Sequence, residues 1–263
     1  MRKGLIMRTL TAGIFIAAFA GAALLFAGCR ALPHVGAAKK PVLKIGITPD
    51  SPPIIFSKND RIFGLEADLA RELARKLDRP LQFIELPWAQ QIPALLDGAT
   101  DIIMSGMTIT PERQVRLAFS DPYLEQGQLA LVRRADMDRF GSSARVVSAN
   151  ANFGVQRKTT GDLFVQQSCK DKIGVEYYDP PEAAEPLRFK MIDIYIHDTP
   201  VIVWMASENE ADLTTVPLES PIQSFGWGLR KTDADLLAAV NAILKEWRSD
   251  GTLDRIRRTW IPD

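Results

Sequence analysis

Asp101-Ile102-Ile103-Met104-Ser105-Gly106-Met107-Thr108-Ile109-Thr110-Pro111-Glu112-Arg113 reads as a buried strand that runs through a turn of small and hydroxyl residues into a helix. Asp101 to Met104 is a short apolar run. Ser105-Gly106-Met107-Thr108 is a turn that lets backbone approach a ligand, and Thr110-Pro111 is an N-cap followed by proline at the first helical position. Arg113 then falls in the first helical turn, where a cation opposes the helix dipole by roughly 0.3–1 kcal/mol at an exposed site. Two readings follow. Arg113 is a solvated surface residue beside Glu112, or its planar fork of donors awaits a carboxylate that the neighbouring hydroxyls and free amides also hold.

Outward from this stretch the pattern repeats. Val42 to Thr48 alternates as an opening strand, and Pro49-Asp50-Ser51-Pro52-Pro53 is too proline-rich for regular structure, so a loop is expected there. Leu65, Leu69, Leu73 and Leu77 recur at helical spacing, Leu81 to Leu86 is a second strand, and Trp88 to Leu96 a second helix closed by Asp97-Gly98. Strand alternating with helix three times implies a parallel sheet with right-handed crossovers, and ligands of such sheets sit beyond the carboxyl ends of the strands. Asp50 with Ser51, Trp88 and the turn from Ser105 to Arg113 all fall at that end.

After a strand at Gln128 to Val132 the series begins again. Phe153 to Gln156 is a strand, and Thr159-Thr160-Gly161-Asp162 opens a helix with cap residues. Gly174 to Tyr178 and Asp193 to His197 are further strands, the second running through Asp198 into Thr199-Pro200 and the helix Val201 to Ala206. Ser224 to Arg230 reads as a returning strand and Leu236 to Trp247 as an amphipathic helix. The expected fold is α/β with two lobes, each a mostly parallel sheet flanked by helices. The first lobe comprises residues 42–124 and 225–263 and the second residues 125–224, with extended crossovers near Leu124 to Gln128 and Pro221 to Phe225.

Composition narrows the function classes. Lysine plus arginine and aspartate plus glutamate both total 32, so the chain lacks the basic footprint that a nucleic-acid backbone demands. Residues 1–28 combine a basic head (Arg2, Lys3, Arg8) with the apolar body Leu10 to Phe26 and read as a secretory signal, a single membrane span being the other reading. Residues 29–41 read as a flexible tether. Cys29 and Cys169 are the two cysteines. Cys169, in a polar run, reads as an idle thiol, and the two histidines, His34 and His197, are too few and too far apart to suggest a metal. No cofactor is expected.

The chain after the signal resembles the bacterial extracellular solute-binding proteins of family 3, two-lobed periplasmic receptors of the type II fold that serve ABC importers. The resemblance rests on Gly64-Leu65-Glu66-Ala67-Asp68-Leu69-Ala70, Trp88 with Ile92-Pro93-Ala94-Leu95, and Gly98 with Asp101. Met107 to Arg113, Phe119 to Tyr123, Thr159-Thr160-Gly161 and Asp250-Gly251-Thr252-Leu253 complete it. It implies that Arg113 pairs with a ligand α-carboxylate, that Ser105, Gly106 and Thr108 contact the same group, and that Thr159 and Thr160 close over it. Asp198 would take the α-ammonium and Trp88 pack on the ligand. Beside these stand plainer readings of Trp88 as core and Asp198 as an N-cap. Glu66 and Asp68 read as a structural helix start. Leu25-Phe26-Ala27-Gly28-Cys29 resembles a lipobox, which implies acylation of Cys29 and a lipid-anchored protein at the periplasm or cell surface.

The resemblance thus implies a monomeric receptor for an amino acid or small organic anion, with an inner-membrane permease as partner. Three departures leave the ligand open: Ser51-Pro52-Pro53 where an aromatic is common, Lys158 where glycine is common, and the wording of Ile196 to Pro200. A cyclohexadienyl-dehydratase-like enzyme and a sensory subunit for a membrane signalling protein are the rival readings.

Overall fold

The computed structural model describes residues 40–262. The leader, Cys29, His34 and nearly all of the tether lie outside the described residues.

Fifteen strands and ten α-helices are described. The first sheet takes β1 (Leu43–Ile47), β5 (Leu81–Glu85), β6 (Ile102–Ile103), β7 (Leu117–Phe119) and β15 (Gly228–Arg230) in the order β5-β1-β6-β15-β7. The second takes β9 (Gln128–Arg133), β10 (Asn152–Val155), β11 (Gly174–Tyr177), β12 (Ile194–Asp198) and β13 (Leu213–Pro217) in the order β11-β10-β12-β9-β13. Each sheet has three parallel strands, then one antiparallel strand, then one more. The fold is two-lobed α/β. In each sheet the antiparallel strand directly follows a passage from the other sheet. Those passages, β8 (Leu124–Gln126) and β14 (Gln223–Phe225), pair with one another as an antiparallel ribbon.

The remaining strands, β2 (Asp50–Ser51), β3 (Ile55–Lys58) and β4 (Arg61–Phe63), form a small meander where the sequence reads as a proline loop. Only two residues pair before the Pro52-Pro53 tip, too few for alternation to show. The stretch Ser224 to Arg230, expected as one strand, is two: Gly226 and Trp227 separate β14 from β15, and a Cβ at Gly226 would lie 2.7 Å from the Ile109 side chain.

The helices are α1 (Leu65–Leu77), α2 (Gln91–Leu96), α3 (Pro111–Arg116), α4 (Met137–Phe140), α5 (Ser143–Val147), α6 (Thr160–Ser168), α7 (Ala184–Arg188), α8 (Thr199–Glu208), α9 (Ala234–Ser249) and α10 (Thr252–Trp260). Helix α1 turns Leu65, Leu69 and Leu73 onto Leu43, Ile45 and Ile47 of β1, beside Val240, Leu244 and Trp247 of α9. Full burial of each such aliphatic side chain contributes about 1.5–3 kcal/mol. On the opposite face of the first sheet, Leu95 of α2 packs with Ile103, Met107 and Leu117. The second sheet is likewise covered on both faces. Val165 of α6 joins Phe153, Val155, Ile194 and Ile196 on one face, while Val201, Ile202 and Met205 of α8 join Leu131, Tyr195 and Leu213 on the other. Cys169 caps α6 inside that core, where burial pushes its thiol up to about 11 and keeps it protonated at neutral pH.

Candidate functional site

The turn after β6 is fixed from two sides. Gly106 adopts φ 63°, a conformation that glycine enters freely, and its amide donates to Glu66 Oε2 at 2.6 Å. Ser105 Oγ accepts the amide of Thr48 at 2.8 Å, tying the turn to the end of β1. Glu66 is fully buried and also accepts the Tyr123 hydroxyl at 2.6 Å. It serves the helix start, as the sequence suggests, and additionally braces the turn. Its burial raises its pKa to about 7 against the pull of these two donors.

Thr110 caps α3 by accepting the Arg113 amide at 3.2 Å, with Pro111 in the first turn. The Arg113 side chain turns back across the loop. Its Nη1 donates to the Thr108 carbonyl at 2.8 Å and its Nη2 to the Lys158 carbonyl at 3.3 Å, while the guanidinium carbon lies 5.2 Å from the centre of the Trp88 ring. The surface reading of Arg113 therefore gives way to a half-buried one. The guanidinium pKa is lowered by burial and supported by the charge of Asp198. Trp88 engages the guanidinium through its ring and donates from Nε1 to the same Lys158 carbonyl at 3.2 Å.

From the second sheet, Thr159 caps α6 by accepting the Asp162 amide at 3.2 Å, and its hydroxyl donates to the Gln156 carbonyl at 2.7 Å. Asp198 ends β12 and occupies the N-cap position of α8, as the plainer reading has it, but its side chain makes no cap hydrogen bond there. Its carboxylate instead accepts Gln126 Nε2 at 3.0 Å, and the same amide's oxygen accepts the Thr199 N–H at 3.2 Å. Burial raises the Asp198 pKa, opposed by His197, Gln126, Arg113 and Thr160. Gln126 belongs to the crossover ribbon and also lies 3.4 Å from Gln223 Oε1, which the Thr108 hydroxyl approaches at 3.4 Å.

These groups meet around one narrow cavity. Ser51, Trp88, Ser105, Gly106, Thr108, Arg113, Thr159, Thr160 and Asp198 all line it, so the structure brings together the nine residues that the sequence nominated as ligand contacts. Asp50, which the sequence places at the ligand end of the first sheet without giving it a role, lines it too, as do Gln156 and His197, which sequence reasoning passed over. Asp50 was visible as a carboxylate in the loop after β1. Gln156 carried no signal, being one amide at a strand end. A larger open groove shares Thr108 and Thr160 but is lined by neither Arg113 nor Asp198. The convergence of opposed charges with hydroxyl and amide groups favours the smaller cavity as the candidate site.

Residues 43–263 match the family model of bacterial extracellular solute-binding proteins, family 3. The chain is 28% identical to an ABC transporter glutamine-binding protein of Bacillus subtilis strain 168, across 92% of this chain and 94% of that one. It is 27% identical to ABC transporter arginine-binding protein 1 of Escherichia coli K12, across 86% and 93%. Among solved structures, an ancestral amino acid-binding protein described as a precursor of cyclohexadienyl dehydratase superposes with a TM-score of 0.78 at 31% identity, covering 83% of this chain and 95% of that one.

Proposed function

This chain belongs to the bacterial extracellular solute-binding proteins of family 3, and we propose that it is a receptor that captures an amino acid between its lobes and delivers it to an ABC importer. The observation that carries this reading is the opposition of Arg113, on the first lobe's turn, to Asp198, at the end of a second-lobe strand, across one cavity. A guanidinium and a carboxylate so placed complement the carboxylate and ammonium of an α-amino acid. Arg113, Ser105 and Thr108 form the seat for the carboxylate on the turn that Gly106 shapes, Asp198 the seat for the ammonium, and Thr159 and Thr160 close from the second lobe.

Closure is hinged at the β8–β14 ribbon. The two lobes already touch through Lys158, whose carbonyl accepts both Arg113 and Trp88, and through Gln156, which donates to Asp50 at 2.9 Å. A ligand held by both halves adds its contacts to the closed arrangement and shifts the population toward it. The named relatives are binding proteins, and that favours capture over catalysis. Their ligands, glutamine and arginine, are amino acids. Acylation of Cys29 after removal of residues 1–28 would tether the receptor to its membrane; mass spectrometry of the mature N-terminus tests it.

A thermal-shift and titration screen of the purified protein against the common amino acids tests the central reading, since a ligand that binds the native state raises the melting temperature. Arg113→Ala abolishes the response to every carboxylate ligand. An unchanged response in that variant removes Arg113 from the site, and turnover of prephenate or arogenate would establish the enzymatic alternative instead.

A further inference from the structure

We propose that the ligand is an α-amino acid with a positively charged side chain, and that Asp50 is the carboxylate that receives that charge; this rests on the receptor reading above. The argument starts from a chain of hydrogen bonds along one wall of the cavity. The Asp198 amide donates to His197 Nδ1 at 2.8 Å, which makes that nitrogen an acceptor and leaves the proton of the neutral ring on Nε2. Nε2–H then donates to Gln156 Oε1 at 3.2 Å. This fixes the orientation of the Gln156 amide, whose nitrogen faces two carboxylates at once, Asp50 Oδ2 at 2.9 Å and Asp179 Oδ1 at 3.1 Å. One neutral amide divides its two protons between two acids.

Neither acid has a lysine or arginine within ion-pair distance among the described residues. The other side-chain partner of Asp50 is the Ser51 hydroxyl at 2.7 Å. Burial and the neighbouring Asp179 charge raise Asp50 to about 6, whereas burial lowers the pKa of His197 and keeps its ring neutral. The charge inventory of the lining is therefore one cation, Arg113, against two carboxylates, Asp50 and Asp198, with Asp179 adjoining. A zwitterion with a neutral side chain satisfies Arg113 and Asp198 and leaves Asp50 uncompensated in a closed site. A ligand bearing carboxylate, ammonium and a further cation balances all three. Asp50 and Gln156 come from different lobes, so a cation at Asp50 would also stabilise their contact.

Isothermal titration of the purified protein with charged and neutral side-chain pairs tests this: L-arginine against L-citrulline, and L-lysine against L-norleucine. The charged member of each pair is expected to bind about 100-fold more tightly, as for a close, desolvated charge pair. In Asp50→Asn the arginine-to-citrulline ratio falls to within about tenfold, and in Asp179→Asn, a substitution at an exposed position, it falls part of the way. Equal affinity for the neutral and charged members, or a ratio untouched by Asp50→Asn in a variant that still binds arginine, overturns the inference and leaves an amino-acid receptor. Failure of every amino acid to bind overturns the receptor reading together with it.

Discussion

Glu66 Oε2 accepts the backbone amide of Gly106 at 2.6 Å, joining the first turn of α1 to the loop after β6 across forty residues of sequence. The loop that carries Ser105 and Thr108 into the cavity is thus held by a buried acid as well as by the Ser105 hydroxyl's bond to Thr48. In Glu66→Ala the Gly106 amide and the Tyr123 hydroxyl lose their acceptor, at about 1–3 kcal/mol for each buried donor left unsatisfied. The expected loss of about 2–6 kcal/mol is read by urea denaturation. The pH dependence has a definite sign. The folded chain holds the Glu66 proton up to about 7 while the unfolded chain releases it in the ordinary carboxylate range, so stability declines as pH rises through that interval. Glu66→Gln should flatten this slope, and a slope unchanged by the substitution would assign it to another group.

Arg113→Lys keeps the charge and loses the fork. One ammonium cannot reach the Thr108 and Lys158 carbonyls together while presenting donors to a ligand and lying over Trp88. Charge-assisted hydrogen bonds contribute about 1.5–3 kcal/mol each, so titration calorimetry should show amino-acid affinity weakened by about 10- to 100-fold. The melting temperature of the ligand-free protein should hardly move.

Asp198→Asn separates binding from stability. The carboxylate is buried, its pKa is raised by that burial, and its hydrogen-bonded partner is the neutral Gln126 amide. Exchange for a neutral amide therefore costs the empty protein little, whereas a bound ammonium loses its counter-charge at about 2–5 kcal/mol. A variant with native melting temperature and affinity within threefold of the parent would show that the ligand's amine lies elsewhere or is absent.

Affinity for arginine should fall with acidification. Binding a cation requires Asp50 ionised, and in the empty cavity it protonates at about 6, so below that pH each binding event expels a proton and affinity drops by up to about tenfold per unit. Asp198, also raised by burial, acts in the same direction. His197 is kept neutral by burial, and Tyr195, stacked on it, has its ionisation pushed still higher by burial. Asp179 faces Asp50 through Gln156 and strengthens the shift. Titrations from pH 5 to pH 8 on the parent and on Asp50→Asn isolate the Asp50 contribution as the part of the slope that disappears.

Long periodic elements were legible in the chain, and short or non-local ones were not. Leu65 to Leu77 announced a helix by its leucine spacing, and Thr110-Pro111 and Thr159-Thr160 marked helix starts that the caps bear out. The three-residue strand β7 is too brief for alternation to register, and β8 and β14, expected as extended crossovers, are strands because each pairs with the other across about a hundred residues of sequence.

Local patterning determined the α/β alternation, the repetition of the series and the placement of Arg113, Thr159 and Asp198 near strand ends, because capping and hydrophobic period act over a few neighbouring residues. Tertiary structure alone decided which of these groups share a cavity. It alone turned Glu66 from a helix-start acid into the brace of the Gly106 turn. It also placed Asp50 opposite Gln156, because burial and hydrogen bonding between residues about a hundred positions apart depend on how the two sheets come together, which no short window of the chain encodes.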